Sequence, residues 1–273
     1  MEITGICVLG AGRMGTGIAQ VAAGQGFEVW LQDTDEAQLK KALDSMRQSL
    51  GEATEKTMAL VKDTLDLKDA AKGVGLVIEA LPEDLTLKQR VLKEVEGICP
   101  PDAVLATTTC TLSISEIAGA LKGRDRCIGM HFYYPVTQTN LVELVLGEET
   151  SETTFKAAKT AADKMGKITA RMKESPLHIM NRALAAVINE ASFITMEGLA
   201  DVEGIDNAMK LATNWPKGPF EFADEIGVDT ILSYLELLQR EFGDPKYRPC
   251  PLLRKKVRAG HLGKKAGQGF YRY

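Results

Sequence analysis

Apolar positions along the chain fall into two rhythms. Short runs at Ile3 to Leu9, Glu28 to Leu31, Val74 to Leu81, Ala103 to Thr108, Cys127 to Phe132, Asn140 to Leu146 and Lys167 to Met172 predict strands. Between them lie stretches of helical period: one after Gly15, one from Asp84 to Ile98, a short one capped by Ser113 and ending near Gly123, and one from Thr150 or Ser151 to about Met165. Alternating strands and helices of this length predict an α/β fold with a mostly parallel sheet. Residues 36 to 63 interrupt the alternation as a charged, mostly helical arm broken only by Gly51. No strand pattern follows residue 174. There Ser175 as cap and Pro176 in the first turn predict a helix from about Leu177 to Glu197, apolar at 180, 184, 187, 188, 191 and 194. Further helices are expected at about 202 to 213, 219 to 226, 230 to 242 and 251 to 259. The chain therefore divides into domains at 1 to 174 and 175 to 273. The helical tail either presents a dimer interface or packs on itself.

The first strand runs into Gly10-Ala-Gly12-Arg13-Met14-Gly15, which opens a helix, and Asp33 closes the next strand 18 residues after Gly15. Glycines at this spacing allow a tight turn, a close backbone approach to a pyrophosphate and close helix packing. The helix N-terminus adds amides for the phosphates. A lone glycine motif says little, but between a strand, a helix and an acid it predicts a Rossmann-type dinucleotide site. Asp33 would accept from ribose hydroxyls, and Asp35 and Glu36 add charge against a 2′-phosphate. Like charges about 4 Å apart repel by about 1 kcal/mol in water and more in a partly dry cleft, so NAD is expected over NADP.

His131 ends one strand and Glu143 lies on the next. If these strands pair antiparallel across the Tyr133 to Thr139 loop, the two side chains meet. A carboxylate on one imidazole nitrogen fixes the tautomer and raises the basicity of the other, as a general base for an alcohol proton requires. On these residues alone a core histidine and an edge glutamate without chemistry remain the alternative. The hydroxyl-rich run Thr107-Thr108-Thr109-Cys110-Thr111 follows a strand end, where ligands of open α/β sheets bind. The arm is either a solvated helical face or a source of phosphate contacts through Lys40, Lys41, Arg47 or Lys56.

Composition narrows the setting. Over 273 residues the chain is 45% hydrophobic and 26% charged with net charge −4, which fits a globular protein and argues against nucleic-acid binding. No apolar run approaches a membrane span, and Met1-Glu2 leads almost directly into a strand, so the expected compartment is the cytoplasm. The five cysteines are scattered and never in a C-x-x-C pair, and the three histidines are far apart, so no metal site is expected.

With these residues laid out, the chain resembles the 3-hydroxyacyl-CoA dehydrogenase family, most of all the short bacterial 3-hydroxybutyryl-CoA dehydrogenases. The resemblance runs through G-A-G-R-M-G-T-G-I-A, V-I-E-A-L-P-E-D-L at 77 to 85, G-M-H-F at 129, N-R at 181, K-G-P-F-E-F-A-D-E-I-G-V-D at 217 to 229, G-D-P-K-Y-R-P and G-K-K-A-G-Q-G-F-Y. It implies an NAD-binding domain, a helical dimerisation domain and a CoA-thioester substrate. It further implies His131 as base, Glu143 as its orienting carboxylate and Asn181 as a substrate contact. Glu83, Lys88 and Lys265 match cofactor contacts; Ser49 and Lys56 fall, by counting alone, where the family holds CoA.

Three departures bear on substrate choice. Cys110 stands where the family has a serine that hydrogen-bonds the substrate oxygen, a weaker donor whose role Thr111 can share. Tyr134 replaces an asparagine that helps seat the nicotinamide. Pro176-Leu177-His178 replaces a P-G-F, with His178 expected as a partly exposed helix-start residue rather than a second catalytic group. The resulting expectation is NAD-dependent oxidation of an (S)-3-hydroxyacyl-CoA, with an atypical 3-hydroxy substrate or a silent dinucleotide binder as alternatives.

Overall fold

The computed structural model describes residues 3–273, so Met1 and Glu2, at the entry to the first strand, lie outside the described residues. Contacts divide the chain into two compact units, the first ending at Ser175 and the second spanning Pro176–Tyr273.

Among the described residues of the first unit, eight strands form one sheet: β1 (Gly5–Leu9), β2 (Glu28–Gln32), β3 (Val61–Thr64), β4 (Leu76–Glu79), β5 (Val104–Thr107), β6 (Cys127–Phe132), β7 (Leu141–Leu146) and β8 (Ile168–Lys173). They lie in the order β3-β2-β1-β4-β5-β6-β7-β8. Neighbours are parallel throughout except for β6 with β7. Helices α1 (Arg13–Gly24), α2 (Glu36–Leu50), α3 (Thr54–Met58), α4 (Leu67–Ala71), α5 (Leu85–Glu96), α6 (Ile114–Ala118) and α7 (Glu152–Lys164) connect and cover the strands. The period-2 alternation of β1 splits its side chains between two apolar layers, Ile6 and Val8 with Ile18, Ala22 and Val29, and Cys7 and Leu9 with Val77, Leu92 and Leu105. Strand order reverses between β1 and β4, which opens a crevice at their carboxyl ends.

Glycines shape the turn at that crevice. Gly10 has φ +98°, and a Cβ there would meet the Ala80 carbonyl oxygen at 2.8 Å. A Cβ on Gly15 would lie 1.8 Å from the Gly10 carbonyl oxygen, so α1 sits as close to β1 as the backbone allows. Gly12 differs: as N-cap of α1 it has φ −69°, and nothing lies within 4 Å of where its Cβ would be.

The second unit holds α8 (Met180–Met196), α9 (Val202–Thr213), α10 (Pro219–Ile226), α11 (Val228–Phe242) and α12 (Pro251–Arg258). Leu184, Ala185 and Ile188 of α8 pack with Ile231, Leu235 and Leu238 of α11 and Leu253 of α12. Two buried carboxylates tie down the chain end. Asp224 accepts from the backbone amides of Phe270 and Tyr271 at 2.8 Å each, and Asp206 accepts from the Phe220 and Glu221 amides and the Tyr271 hydroxyl.

The hydrophobic pattern misleads in three places. The arm is not mostly helical to its end, because Val61–Thr64 pairs in parallel with β2, and α4 follows it. These residues are too polar to read as a strand because β3 is the sheet edge, partly open to solvent. Ser175 and Pro176 do not start a helix. Leu177 and His178 have φ of 64° and 57°, left-handed conformations that a right-handed helix excludes, so α8 begins only at Met180. Burial of Leu177 in the helical core, worth about 1.5–3 kcal/mol, offsets that conformational cost. His178 is therefore a buried turn residue, not a partly exposed helix start. Lastly, the inward face of α8 is centred on 184, 185, 188, 191 and 192, and Met180 is exposed.

The glycine geometry separates two substitutions. Gly15→Ala is expected to destabilise the protein by at least about 1–3 kcal/mol, the usual cost of overpacking. Gly12→Ser, which keeps an allowed backbone and adds a favourable N-cap, is expected to stay within about 0.5 kcal/mol of the parent. Urea titration followed by circular dichroism checks both; equal midpoints for the two variants would contradict the packing described.

Candidate active site

The crevice at the ends of β1, β2 and β4 is a cleft of about 1150 Å³ lined by Gly10, Gly12, Arg13, Met14, Asp33, Ala80, Leu81 and Pro82. Five residues expected from the glycine motif and its acid thus share one cavity. Gly15 lies behind them, where its lack of a side chain brings helix and strand together. The first turn of α1 has no side-chain cap, which leaves its amides for an anion, and the bare Cα of Gly12 clears the approach. Asp33 accepts from the Ala11 amide at 2.7 Å and the Asp35 amide at 3.1 Å, so the acid is tied directly to the glycine turn. Donor set and shape fit a dinucleotide with free ribose hydroxyls.

Next to the cleft lies a buried polar cluster that sequence reasoning covered only in part. Lys88 and Glu79 are fully buried and pair at 2.7 Å. The Lys88 ammonium also donates to the Leu81 carbonyl at 3.1 Å, and Glu79 accepts from the Thr107 hydroxyl at 2.6 Å and the Leu81 amide at 2.6 Å. Glu83 continues the cluster. Its Oε1 accepts from the hydroxyls of Thr109 and Thr111 at 2.5 and 2.7 Å and from the amides of Cys110 and Thr111 at 3.1 and 2.9 Å. Burial alone would push the Glu83 carboxyl up. The hydrogen bonds and the Lys88 ammonium outweigh it and hold the carboxyl below the usual carboxylate range. Glu83 therefore organises the hydroxyl-rich loop, and Cys110 and Thr111 stand where that loop places them. Thr107 belongs to the hydroxyl-rich run and Glu79 to the strand before it, but nothing in the local pattern signals that the two meet each other and Lys88.

His131 and Glu143 face each other directly in the antiparallel ladder of β6 and β7, as the sequence led us to expect. The His131 Nδ1–Glu143 Oε2 distance is 2.8 Å, with His131 6% exposed and Glu143 fully buried. A carboxylate can only accept, so Nδ1 is the donor, and in the neutral ring Nε2 is then the basic nitrogen. Tyr133, passed over as the first residue of a loop, donates its hydroxyl to the same Glu143 oxygen at 2.6 Å and sets its ring edge-on to His131 at 4.6 Å. Its signal was the strand alternation, which puts residues two apart on one face. Lys167, also missed, is buried at the start of β8, and its ammonium donates to the carbonyls of Val136 and Thr139 at 2.6 and 2.7 Å. It thereby anchors the loop after Tyr134, while burial pulls its own pKa down.

A second, smaller groove of about 320 Å³ runs between α1, α2 and this loop, lined by Arg13, Thr16, Gln20, Lys41, Ser45, Ser49 and Tyr134. Tyr134 is 62% exposed, with the Arg13 guanidinium 5.3 Å from its ring centre. Ser49 donates to the Gln20 side chain at 3.1 Å, whereas Lys56 is an exposed residue of α3. Within the second unit, Asn181 lies half-buried in the first turn of α8, and Lys265 pairs with Asp229 at 2.7 Å.

Comparison with known proteins adds an independent line. Residues 5–175 match the model of the 3-hydroxyacyl-CoA dehydrogenase NAD binding domain, and residues 178–273 that of the 3-hydroxyacyl-CoA dehydrogenase C-terminal domain. A probable 3-hydroxybutyryl-CoA dehydrogenase of Bacillus subtilis is 43% identical, the alignment covering 100% of this chain and 98% of the relative. The 3-hydroxybutyryl-CoA dehydrogenase of Bradyrhizobium diazoefficiens is 41% identical over 97% of this chain and 94% of its own. Among solved structures, the (S)-3-hydroxybutyryl-CoA dehydrogenase of Ralstonia eutropha superposes with a TM-score of 0.96 at 39% identity, covering 100% of this chain and 99% of that one. Together with the cleft and its fit to a dinucleotide, these matches mean that the chain belongs to the 3-hydroxyacyl-CoA dehydrogenase family, its NAD-binding domain preceding the family's C-terminal domain.

Proposed function

We propose that the protein oxidises an (S)-3-hydroxyacyl-CoA of the 3-hydroxybutyryl type to the 3-ketoacyl-CoA, with His131 as general base. The observation that carries this reading is the His131–Glu143 contact at 2.8 Å, next to a sheet whose crevice fits NAD. When bound, NAD supplies the acceptor for the hydride that leaves C3. The chain does the rest. Gly10, Gly12, Arg13, Met14 and Gly15 form the phosphate turn, and Asp33 takes the ribose hydroxyls. Lys88 and Glu83 set the wall against the nicotinamide half, with Lys265 a further cofactor contact. Nε2 of His131 removes the C3 hydroxyl proton, and Glu143 stabilises the imidazolium that results. Asn181, Cys110 and Thr111 hold the substrate oxygens, and Ser49 with Lys56 receives the CoA end.

His131→Ala is expected to bind NADH as the parent does and to reduce acetoacetyl-CoA at least about a hundredfold more slowly, the contribution of a positioned base. Stopped-flow turnover and NADH fluorescence titration read the two quantities separately, and near-normal turnover would remove His131 from the mechanism.

Asp33→Ala is expected to weaken NADH binding by about tenfold or more, because the hydrogen bonds lost are to a charged group. The parent should favour NADH over NADPH, and titration with both nucleotides settles the point. Gly12→Ser should weaken NADH binding without loss of stability.

We also propose a cytoplasmic homodimer paired through the helical unit. Leu199 and Leu211 are 77% and 83% exposed, an apolar surface that a second copy would cover. Sedimentation equilibrium should give twice the chain mass of 29.7 kDa for the parent, and a monomer mass for the double variant Leu199→Glu, Leu211→Glu.

A further inference from the structure

We infer that Tyr133 is a positioning residue for the reaction, acting through Glu143 to hold His131 in the orientation and tautomer in which Nδ1 donates to the carboxylate and Nε2 is the basic nitrogen. The inference rests on the assignment of His131 as base.

Three side chains meet at one oxygen. Glu143 Oε2 accepts from His131 Nδ1 at 2.8 Å and from the Tyr133 hydroxyl at 2.6 Å. The terminal torsion of a glutamate is soft, so each further donor narrows the range over which the carboxylate can turn. A second donor, arriving from the same face of β6 two residues along, fixes it. The Tyr133 ring acts on the other partner. It stands at 71° to the imidazole with centroids 4.6 Å apart, an edge-on contact that restrains rotation of His131. Tyr133 thus grips both members of the pair, the carboxylate by its hydroxyl and the imidazole by its ring.

The ladder explains why this residue can do so. His131 is registered opposite Glu143 and Phe132 opposite Val142, so the chain leaves β6 just as Tyr133 returns to the His131 face. A hydroxyl at the end of a tyrosine reaches diagonally back across the strand to the carboxylate, a span that diagonal pairs in antiparallel sheets allow to long side chains. Phenylalanine at 133 would keep the ring contact and lose the hydrogen bond, which makes Tyr133→Phe a clean probe.

Tyr133→Phe is expected to lower kcat about tenfold, the equivalent of one charge-assisted hydrogen bond, with KM for acetoacetyl-CoA and Kd for NADH within about twofold of the parent. In a Glu143→Ala background the same change is expected to do nothing further, because the carboxylate it steadies is gone. Side-chain ¹⁵N spectra of Tyr133→Phe, with His131 assigned by comparison with His131→Asn, should show loss of the pure Nδ1–H tautomer. That measurement does not depend on how well Glu143→Ala folds. An unchanged kcat, an equal loss in both backgrounds, or an unaltered tautomer overturns the inference. A silent His131→Ala beside an unaffected Tyr133→Phe sinks the positioning role alone, whereas an active His131→Ala sinks the base assignment itself.

Discussion

The buried pair between Lys88 and Glu79 is the constraint on which the ligand side of the sheet depends. A charge taken out of water must be matched, and breaking such a pair by removing one partner costs about 3–5 kcal/mol. Glu79 ends β4, Lys88 sits on α5, and Thr107 ends β5, so this one requirement joins three elements at the edge of the crevice. The Lys88 ammonium then lies 3.5 Å from Glu83, whose four donors define the Thr109 to Thr111 loop. The Thr109 to Thr111 loop at the crevice is therefore held in place by charges anchored in the buried pair. Lys88 itself is fully buried, so its influence on a cofactor runs through the wall it supports.

Much of this arrangement was legible in the amino-acid order. The strands were readable because buried parallel strands are continuous apolar runs, and β1 to Asp33 was readable because a phosphate turn demands glycine at fixed places. His131 and Glu143 could be paired from a single guess about strand direction, since antiparallel register then decides the rest. What escaped had weak local signals. β3 is an edge strand with charged residues, the Leu177–His178 turn takes a backbone conformation that neither residue advertises, and a buried Lys167 looks like any surface lysine until its carbonyl partners are known.

Tyr133 illustrates a different blind spot. The apolar run stops at Phe132 and so assigns the next residue to the loop, yet side-chain alternation outlasts hydrogen-bonded pairing by a residue. The departures that carry the question of substrate, Cys110 and Tyr134, lie on two different loops. Cys110 is on the loop that Glu83 organises, and Tyr134 is exposed beside Arg13 above the smaller groove.

The antiparallel register of β6 and β7 separates two things that enzymes often have to change together. His131 and Glu143 are opposed by ladder geometry, not by the length or composition of the connection between the strands. An exposed residue of the connection such as Tyr134 can accordingly be exchanged while the histidine and glutamate keep their spacing, whereas Val136 and Thr139, whose carbonyls satisfy the buried Lys167 ammonium, stay tied to the fold. A slip of one position within β6, by contrast, would turn the imidazole to the opposite side of the sheet. The spacing of the pair is thus a property of the sheet, and the exposed surface of the connection can vary without disturbing it.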